Sequence, residues 1–373
     1  MPIVFDARTA TDHFPGIGRY VSNLARALAS LIPPGDFELL CAPSPSTRLA
    51  LPADVPRIIC DASPFSLRQQ WQVPSRLRQA GAALYHSAYY LMPYAPGVPT
   101  VSTCYDLIPL LYPEYFTAGQ RLIFWLTHRL ATTISQAVLA ISHVTKADLI
   151  RRFHLKPDKI IVTPLAADPR FAPRSPAEIA VMRQRHRLPA RYGLYFGSNK
   201  PHKNLMRLLE AWSLVARRVA PVQLVIAGHW DTRFPQVQDC AATLGLEGST
   251  RFLGPVPEED LPALYSGAEW FIFPSLYEGF GLPVVEAMAC GAPVLCSDIP
   301  VLREAAGEAA LFFDPTELTA IAHALERAVD GADRVEWAQR GLARAGQFSW
   351  KQTAQQTLAV YERVLARKLP QNA

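Results

Sequence analysis

Short, almost continuously apolar runs recur along the chain and leave room for a helix between them. In the first half they predict strands at Ile3–Phe5, Phe37–Cys41, Ala83–Tyr85, Thr100–Cys104, Ala137–Ile141 and Ile160–Thr163. In the second half they predict strands at Gly193–Phe196, Gln223–Ala227, Arg251–Leu253, Trp270–Phe273, Pro293–Cys296 and Leu311–Phe313. Runs without polar alternation are typical of strands that are covered on both faces.

Helical stretches are predicted between many of these strands, for example at Gly18–Leu31, Asn204–Val219, Pro283–Ala289 and Glu317–Val329. Alternation of strands and helices favours parallel sheets with helices on both faces, built from right-handed crossovers. Two sets of about six strands therefore predict an α/β protein with two doubly wound, Rossmann-like domains.

A Pro-rich, charged segment separates the two sets of strands. It predicts a first domain over residues 1–170, a linker over 171–190 and a second domain over 191–350. The last helix, within residues 351–373, follows Ser349 as a predicted N-cap and is expected to pack back on the first domain.

Composition narrows the class of protein. The 373 residues are 50% hydrophobic and 18% charged, which excludes a disordered chain. The longest apolar window, 122–141, is broken by His128, Arg129 and Gln136, so no membrane span is predicted. The N-terminus lacks a secretory-signal pattern, and the six cysteines include no Cys-x-x-Cys pair. We therefore expect reduced thiols and a cytoplasmic protein.

Charge is divided unevenly between the two halves. Residues 1–187 carry 20 Lys and Arg against 12 Asp and Glu, whereas residues 188–373 carry 17 against 20. A basic half is compatible with anionic lipid headgroups, with phosphorylated small molecules or with a merely solvated helical surface. No basic heptads, zinc finger or RNA-binding aromatic signature accompanies the charge, so nucleic acid is not an expected partner.

The segment FPSLYEGFGLPVVEA, residues 273–287, carries the most specific chemical pattern. A strand is predicted to end at Phe273, two glycines follow in a loop, and Pro283 suits the first position of a helix. Main-chain N–H groups at such a helix start form an anion site. Here they belong to Phe280, Gly281 and Leu282.

Two carboxylates flank this anion site. Glu278 lies in the loop, and Glu286 is expected in the first turn of the helix. Each could accept hydrogen bonds from sugar or ribose hydroxyls. The alternative is that Glu278 is a surface charge and that Glu286 only favours the helix dipole.

A second loop, GSNKPHKN at 197–204, also follows a predicted strand. Lys203 lies where the next helix begins, and a cation there opposes the helix macrodipole unless an anion lies between them. A bound diphosphate would supply that anion. The alternative is a solvated loop lysine.

Two further loops follow strands of the first half, at the sheet edge where doubly wound folds bind ligands. Gly16 and Gly18 form only part of a dinucleotide-binding motif and offer flexible amides before a helix. Asp106 could contact a substrate or cap its own loop. His86 could belong to a site or be a core histidine with satisfied hydrogen bonds.

These segments closely resemble the glycosyltransferases of family 4, over nearly the whole chain. The resemblance rests on SLYEGFGLPVVEAMACG with its Glu-x7-Glu spacing, on GSNKPHKN, GIGRY and YDLIP, and on Ala140-Ile141-Ser142 followed by Lys146 and Asp148. It implies the GT-B fold, in which two Rossmann-like domains face a central cleft. It also implies a retaining, nucleotide-sugar-dependent enzyme.

The resemblance also implies roles for individual residues. Glu278 would contact the donor sugar, and Glu286 the ribose. Lys203 and the amides of Phe280, Gly281 and Leu282 would bind the diphosphate, and Gly16 and Gly18 would approach it from the first domain. Ser198, in the loop 197–204 that carries Lys203 (the lysine loop), would also contact the donor. Val256 would lie near the base.

Two positions depart from the pattern of many relatives. Ser198 stands where many carry an arginine, and Lys200 could compensate for that arginine. Tyr105 stands where many carry a histidine credited with contacting the donor sugar. A tyrosine is a poor proton shuttle at neutral pH, and Asp106 could assume part of the role. The candidate catalytic residues are therefore Asp106, Tyr105, Lys203 and Glu278.

The expected reaction breaks the bond between an anomeric carbon and a nucleoside diphosphate. Stabilisation of the leaving group by Lys203 and the helix amides is the main effect expected. The chain contains no Asp-x-Asp, so neither a metal nor another cofactor is expected. The resemblance favours mannose from GDP-mannose, with UDP- and dTDP-hexoses still open. A glycan or lipid-linked acceptor would accompany peripheral contact with the inner face of the membrane.

Three alternatives remain at this point. A nucleotide-sugar 2-epimerase would use the same fold and convert a donor without an acceptor. A dinucleotide-dependent oxidoreductase is disfavoured because Gly-x-Gly-x-x-Gly is missing. A non-catalytic sugar-nucleotide sensor is conceivable because of Ser198 and Tyr105.

Overall fold

The computed structural model describes residues 2–10, 15–43 and 51–367, which form two compact units. The first unit comprises the residues up to Leu165 and those from Ser349 onwards, and the second comprises Ala166–Phe348. Each unit contains one parallel sheet with helices connecting its strands. The predicted fold class, two Rossmann-like α/β domains, is confirmed.

The sheet of the first unit has seven strands in the order β3-β2-β1-β4-β5-β6-β7 within the described residues. Neighbouring strands run parallel throughout. The strands are β1 (Ile3–Asp6), β2 (Phe37–Cys41), β3 (Arg57–Ile59), β4 (Leu84–Ser87), β5 (Thr100–Cys104), β6 (Ala137–Ala140) and β7 (Ile160–Val162). The connecting helices are α1 (Pro15–Ala29), α2 (Gln69–Gln79), α3 (Ile108–Leu111), α4 (Ala118–Ile134) and α5 (His143–Phe153).

The sheet of the second unit has six parallel strands in the order β10-β9-β8-β11-β12-β13. The strands are β8 (Tyr192–Phe196), β9 (Gln223–Ala227), β10 (Thr250–Gly254), β11 (Trp270–Phe273), β12 (Val294–Ser297) and β13 (Leu311–Phe313). The helices are α6 (Pro176–His186), α7 (Leu205–Val215), α8 (Gln236–Thr243), α9 (Leu261–Ser266), α10 (Leu282–Ala289), α11 (Pro300–Ala306), α12 (Leu318–Asp330) and α13 (Arg334–Ala345).

The last helix, α14 (Trp350–Ala366), belongs to the first unit. Ser349 is its N-cap, as predicted, and accepts a hydrogen bond from the N–H of Gln352. The hydroxyl of Thr353 donates to the Pro164 carbonyl at 2.6 Å. Residues 368–373 of the predicted helix lie outside the described residues.

The segment 171–190, predicted as a linker, packs instead as part of the second unit. Phe171 is buried edge-on against Tyr265 of α9, and Asp260 accepts hydrogen bonds from Arg185 and His186 at the end of α6. Its prolines bound a short helix with a capping box rather than a free tether. A Pro-rich composition therefore misled the boundary prediction.

Strand order determines where each sheet can bind a ligand. In the second sheet the chain moves from β8 outward to β9 and β10, then returns to β11 and continues in the opposite direction. Loops that leave β8 and β11 therefore diverge at the carboxyl ends of adjacent strands. Such a switch point is the usual binding crevice of an open α/β sheet.

Candidate active site

The loop after β11 ends at a helix start that no side chain of the described residues caps. Gly281 is the N-cap of α10, with φ of 97°, and no side chain caps the helix. A Cβ at this position would lie 2.6 Å from Cδ2 of Leu302, so glycine is required for both conformation and space. The helix begins at Leu282, one residue before the predicted start, with Pro283 in its first turn. Its first amides are therefore available to an anion.

The lysine loop after β8 is held by its own polar groups. The hydroxyl of Tyr195 donates to the Ser198 carbonyl at 2.7 Å. The side-chain amide of Asn199 donates to the carbonyls of Asp231 and Phe234 and accepts from the Asp231 N–H. A 3₁₀ turn, Pro201–Lys203, then presents Lys203 directly before α7. These contacts fix the lysine's backbone before any ligand arrives.

The two loops meet in an ion pair. Nζ of Lys203 lies 2.6 Å from Oε1 of Glu278, and the two side chains are only 15% and 12% exposed. The ammonium also lies 5.2 Å from the centroid of the Phe273 ring. The Leu276 N–H donates to the His202 carbonyl at 2.8 Å, which ties the loops together. Two residues 75 positions apart thus form one charged element at the switch point.

Glu286 differs from its prediction. It lies in the second turn of α10, not the first, and its side chain is completely buried. The hydroxyl of Tyr265 lies 3.5 Å from its Oε2. The helix begins at Leu282, so the fifth helical residue has already turned inward towards α9.

Two residues of these loops escaped the sequence reasoning. His202 is buried beside Lys203, and burial, reinforced by Lys203 and Lys200, lowers its pKa to about 2. It is therefore neutral at physiological pH. Ser275 is fully buried, and its hydroxyl has no partner within the described ranges. Their positions in the two motif loops were the only available signal.

Ser198 and Val256 lie on the same edge of the second sheet. Ser198 is half-buried after β8, and Val256 is half-buried in the loop after β10. Gly228, after β9, has φ of 121°, and a Cβ there would lie 2.1 Å from the Gly197 carbonyl oxygen. Close backbone packing at this edge thus requires glycine.

In the first unit, Tyr105 and Asp106 both have structural partners. The Tyr105 hydroxyl donates to the Ala88 carbonyl at 2.8 Å, and its ring packs edge-on against Tyr20. Burial raises the pKa of Tyr105 well above its usual value. Asp106 Oδ1 accepts from the Ile108 N–H at 3.0 Å, at the start of α3. Asp106 thus caps its own loop, which is one of the two roles that the sequence left open; its catalytic role stays a prediction.

His86 is a core residue. It is completely buried; Nδ1 lies 2.5 Å from the Tyr361 hydroxyl, and Nε2 lies 2.8 Å from the Thr103 hydroxyl. Burial lowers its pKa to about 3, so the ring is neutral at physiological pH. Of the two interpretations offered by the sequence, the structural one is correct.

Gly16 and Gly18 do not form a loop. They are the second and fourth residues of α1, which begins at Pro15 rather than at Gly18. Gly16 is exposed and Gly18 is buried. Proline at the first helical position explains the early start, because its fixed φ suits that position.

A cavity of about 210 Å³ lies at the carboxyl edge of the first sheet, next to the end of β1. Arg8 forms a two-point ion pair with Asp6, and the hydroxyl of Tyr85 also donates to Asp6. Thr9 is buried, and its hydroxyl has no partner in the described part of the chain. The lining residues are Arg8, Thr9, Ala42, Cys60, Asp61, Ala62, Ser63, Pro64 and Phe65.

Comparison with known proteins assigns the chain to a family. A family model described as Glycosyltransferase Family 4 matches residues 15–171, and one described as Glycosyl transferases group 1 matches residues 181–343. An O-antigen chain mannosyltransferase B from Escherichia coli is 35% identical over 300 residues, which cover 79% of this chain and 77% of that protein. The chain belongs to glycosyltransferase family 4.

Two further matches extend this result. A serotype-specific mannosyltransferase, WbdA, from Escherichia coli is 31% identical over 280 residues, covering 73% of this glycosyltransferase but only 34% of WbdA. The solved structure of sucrose-phosphate synthase from Thermosynechococcus elongatus superposes with a TM-score of 0.80 and 22% sequence identity. The superposition covers 99% of this chain and 100% of the synthase chain. The structural match supports the GT-B fold.

The glycosyltransferase brings together only part of its predicted site. Lys203, Glu278 and the amides that begin α10 lie together in the second unit. Tyr105 and Asp106 lie in the first unit with local partners. The catalytic and donor-binding roles of these residues stay predictions, as do those assigned to Glu286, Gly16, Gly18, Ser198 and Val256.

Proposed function

We propose that this family 4 glycosyltransferase transfers a hexose from a nucleotide sugar to a glycan or lipid-linked acceptor with retention of the anomeric configuration. The Lys203–Glu278 ion pair, beside the uncapped start of α10, carries this proposal. The ammonium and the helix amides would hold the diphosphate. Glu278, which shares the ammonium, would then accept hydrogen bonds from hydroxyls of the donor sugar.

Mannose from GDP-mannose is the donor that we propose first. Two of the proteins named above are described as mannosyltransferases, one as an O-antigen chain mannosyltransferase and one as a serotype-specific mannosyltransferase. By this likeness, the acceptor would be a growing glycan of O-antigen type. UDP- and dTDP-hexoses are the competing donors.

The proposed step needs no nucleophile from the protein. The bond between C1 of the sugar and the diphosphate oxygen breaks, and its electron pair goes to the diphosphate. The acceptor oxygen attacks C1 from the same face, and its proton passes to a departing phosphate oxygen. Lys203 and the amides at the start of α10 stabilise the growing negative charge.

We further propose that the transfer is independent of metal ions. The positive charge that the leaving group requires comes from an ammonium and a helix N-terminus, which together can replace a cation clamp. Activity should therefore survive treatment with EDTA and should not rise on addition of Mg²⁺ or Mn²⁺. A strict requirement for either ion would refute this part of the proposal.

A donor panel tests the function as a whole. Purified protein is incubated with GDP-mannose, UDP-glucose and dTDP-glucose, with and without a mannose-containing acceptor, and release of nucleoside diphosphate is measured. Release that depends on the acceptor, with a product of retained anomeric configuration by NMR, is the expected result. Donor conversion without an acceptor would indicate an epimerase, and tight binding without turnover would indicate a sensor.

The cavity beside Arg8 is our proposed site for the acceptor's terminal sugar. Ligand pockets for drug-sized molecules span about 300–1,000 Å³, so about 210 Å³ suits a smaller group such as one hexose. The Arg8–Asp6 pair supplies a rigid wall, because Arg8 also donates to the Ala62 carbonyl. On rotation of the Thr9 side chain, its buried and unpartnered hydroxyl would bond a hydroxyl of the sugar.

Replacing Thr9→Val separates this role from a structural one. The substitution removes a buried hydroxyl without a partner at nearly constant volume, so the melting temperature should hold or rise. The acceptor KM should rise roughly tenfold, as expected for one lost hydrogen bond of about 1.4 kcal/mol, while the donor KM stays constant. Thr9→Ser, which keeps the hydroxyl, is the matched control. An unchanged acceptor KM in Thr9→Val would refute the assignment.

A further inference from the structure

Helix α4 of the first unit presents a large apolar face to solvent. Five of its side chains are exposed despite their size: Leu122 (57%), Ile123 (63%), Trp125 (40%), Leu126 (44%) and Leu130 (44%). Their spacing of three, four and seven positions places them on one side of the helix. Large exposed apolar patches on a protein usually mark an interaction surface.

The opposite face of α4 already packs the helix onto the unit. The His128 ring stacks on Tyr90 at 3.8 Å and lies 3.9 Å from Phe124, and Ala131 is buried in the core. The capping box of Thr117 and Gln120 secures the first turn. The exposed face is therefore not needed to hold the helix in place.

Positive charge surrounds this apolar face. Residues 118–160 contain seven Lys and Arg but only two acidic residues. The Arg129 guanidinium donates to the Phe153 carbonyl at the end of α5, next to the exposed Arg151 and Arg152. Lys159 donates to the Thr133 carbonyl at the end of α4. These contacts place basic side chains of α5 and the following turn beside the C-terminal half of α4.

We propose that α4 lies in the interfacial region of an anionic lipid bilayer and holds this enzyme at the membrane surface. An amphipathic helix with Leu and Trp on one side and cations around it has the chemistry for such binding. The sequence suggested membrane contact from the basic first half and from a lipid-linked acceptor; the exposed face of α4 supplies the surface for that contact. Among the helices of the described ranges, none has the length and hydropathy of a membrane span.

A second copy of the chain is the less suitable occupant. A two-fold interface would bring each patch against itself, and the surrounding cations would then face cations. Like charges across an interface oppose association, whereas anionic headgroups satisfy them. The inference goes beyond the proposed function and does not depend on which donor is used.

Vesicle flotation tests the proposal with the full-length protein. The wild-type protein should float with vesicles of phosphatidylcholine and phosphatidylglycerol. The fraction of protein that floats with vesicles of phosphatidylcholine alone should be smaller by about tenfold or more. The double variant Leu122→Gln/Leu126→Gln should have a partition coefficient for the vesicles that is about tenfold lower or more, because two apolar contacts with the lipid disappear. At low salt, the partition coefficient of Arg151→Gln/Arg152→Gln should fall by a similar factor, because two cations that bind the anionic headgroups are lost.

Matched controls separate lipid binding from damage to the fold. Leu214→Gln/Val335→Gln removes two exposed apolar side chains of the second unit and should leave flotation unchanged. All variants should keep the wild-type melting temperature and turnover with a water-soluble acceptor. Wild-type flotation with the Leu122→Gln/Leu126→Gln protein would overturn the proposal. So would a dimer in sedimentation velocity that the same variant converts to monomer.

Discussion

Replacing Lys203→Met should lower kcat by roughly 10²–10³-fold, the effect expected when one preorganised group that stabilises a developing oxyanion is lost. Methionine keeps most of the aliphatic stem but removes the ammonium, together with its cation–π contact with the Phe273 ring. The ammonium contributes most when the diphosphate leaves, so kcat should fall more than the donor KM rises. Steady-state release of nucleoside diphosphate measures both constants.

Lys203→Met also breaks the ion pair with Glu278, so a second variant is needed to separate the effect on catalysis from the effect on stability. Lys203→Met leaves the Glu278 carboxylate nearly buried without its partner, which lowers the free energy of unfolding. Lys203→Met/Glu278→Gln removes both charges and should recover stability without recovering kcat. Lys200→Met, on the exposed residue of the same loop, should have a much smaller effect. A kcat within threefold of wild type for folded Lys203→Met would contradict the assignment.

Replacing Glu286→Gln should raise the donor KM by roughly 10–100-fold with little change in kcat. Glutamine preserves volume but cannot accept two hydrogen bonds as an anion, and a hydrogen bond to a charged group is worth about 1.5–3 kcal/mol. The carboxylate is completely buried, so its environment strengthens such bonds. Calorimetric titration with the donor measures the affinity directly.

A purely structural role for Glu286 predicts a different pattern. Tyr265→Phe removes the hydroxyl 3.5 Å from Oε2 and leaves the carboxylate able to bind a ribose. It should lower the melting temperature slightly and change the donor affinity less than Glu286→Gln does. If both variants lose stability equally and bind the donor as wild type does, Glu286 is a core residue only.

The positions of the ligand-binding edges were predictable from the chain alone. Strands such as β8 and β11 are buried apolar runs, and parallel strands place the loops that follow them at one edge. This places Lys203 and Glu278 at one sheet edge. Their ion pair was not predictable, because it depends on how two loops fold around Leu276 and His202.

Other errors have local physical causes. Strand β3 escaped prediction because Arg57–Ile59 is an edge strand of only three residues, two of them exposed. The burial of Glu286 depends on where α10 begins and on how it packs against α9, neither of which its own sequence position shows. The cavity beside Thr9 was not predicted, because the sequence reasoning gave no ligand-binding role to Arg8 and Thr9. Their place directly after the buried strand β1 could have indicated a ligand site.

The most direct test measures how much the second phosphate contributes to nucleotide binding. The diphosphate and the monophosphate of the nucleoside identified by the donor panel are titrated into wild-type protein and Lys203→Met. We expect the wild type to bind the diphosphate about tenfold or more tightly than the monophosphate. We expect Lys203→Met to lose most of this ratio while its affinity for the monophosphate stays unchanged. The same ratio in both proteins would contradict the claim that Lys203 binds the diphosphate.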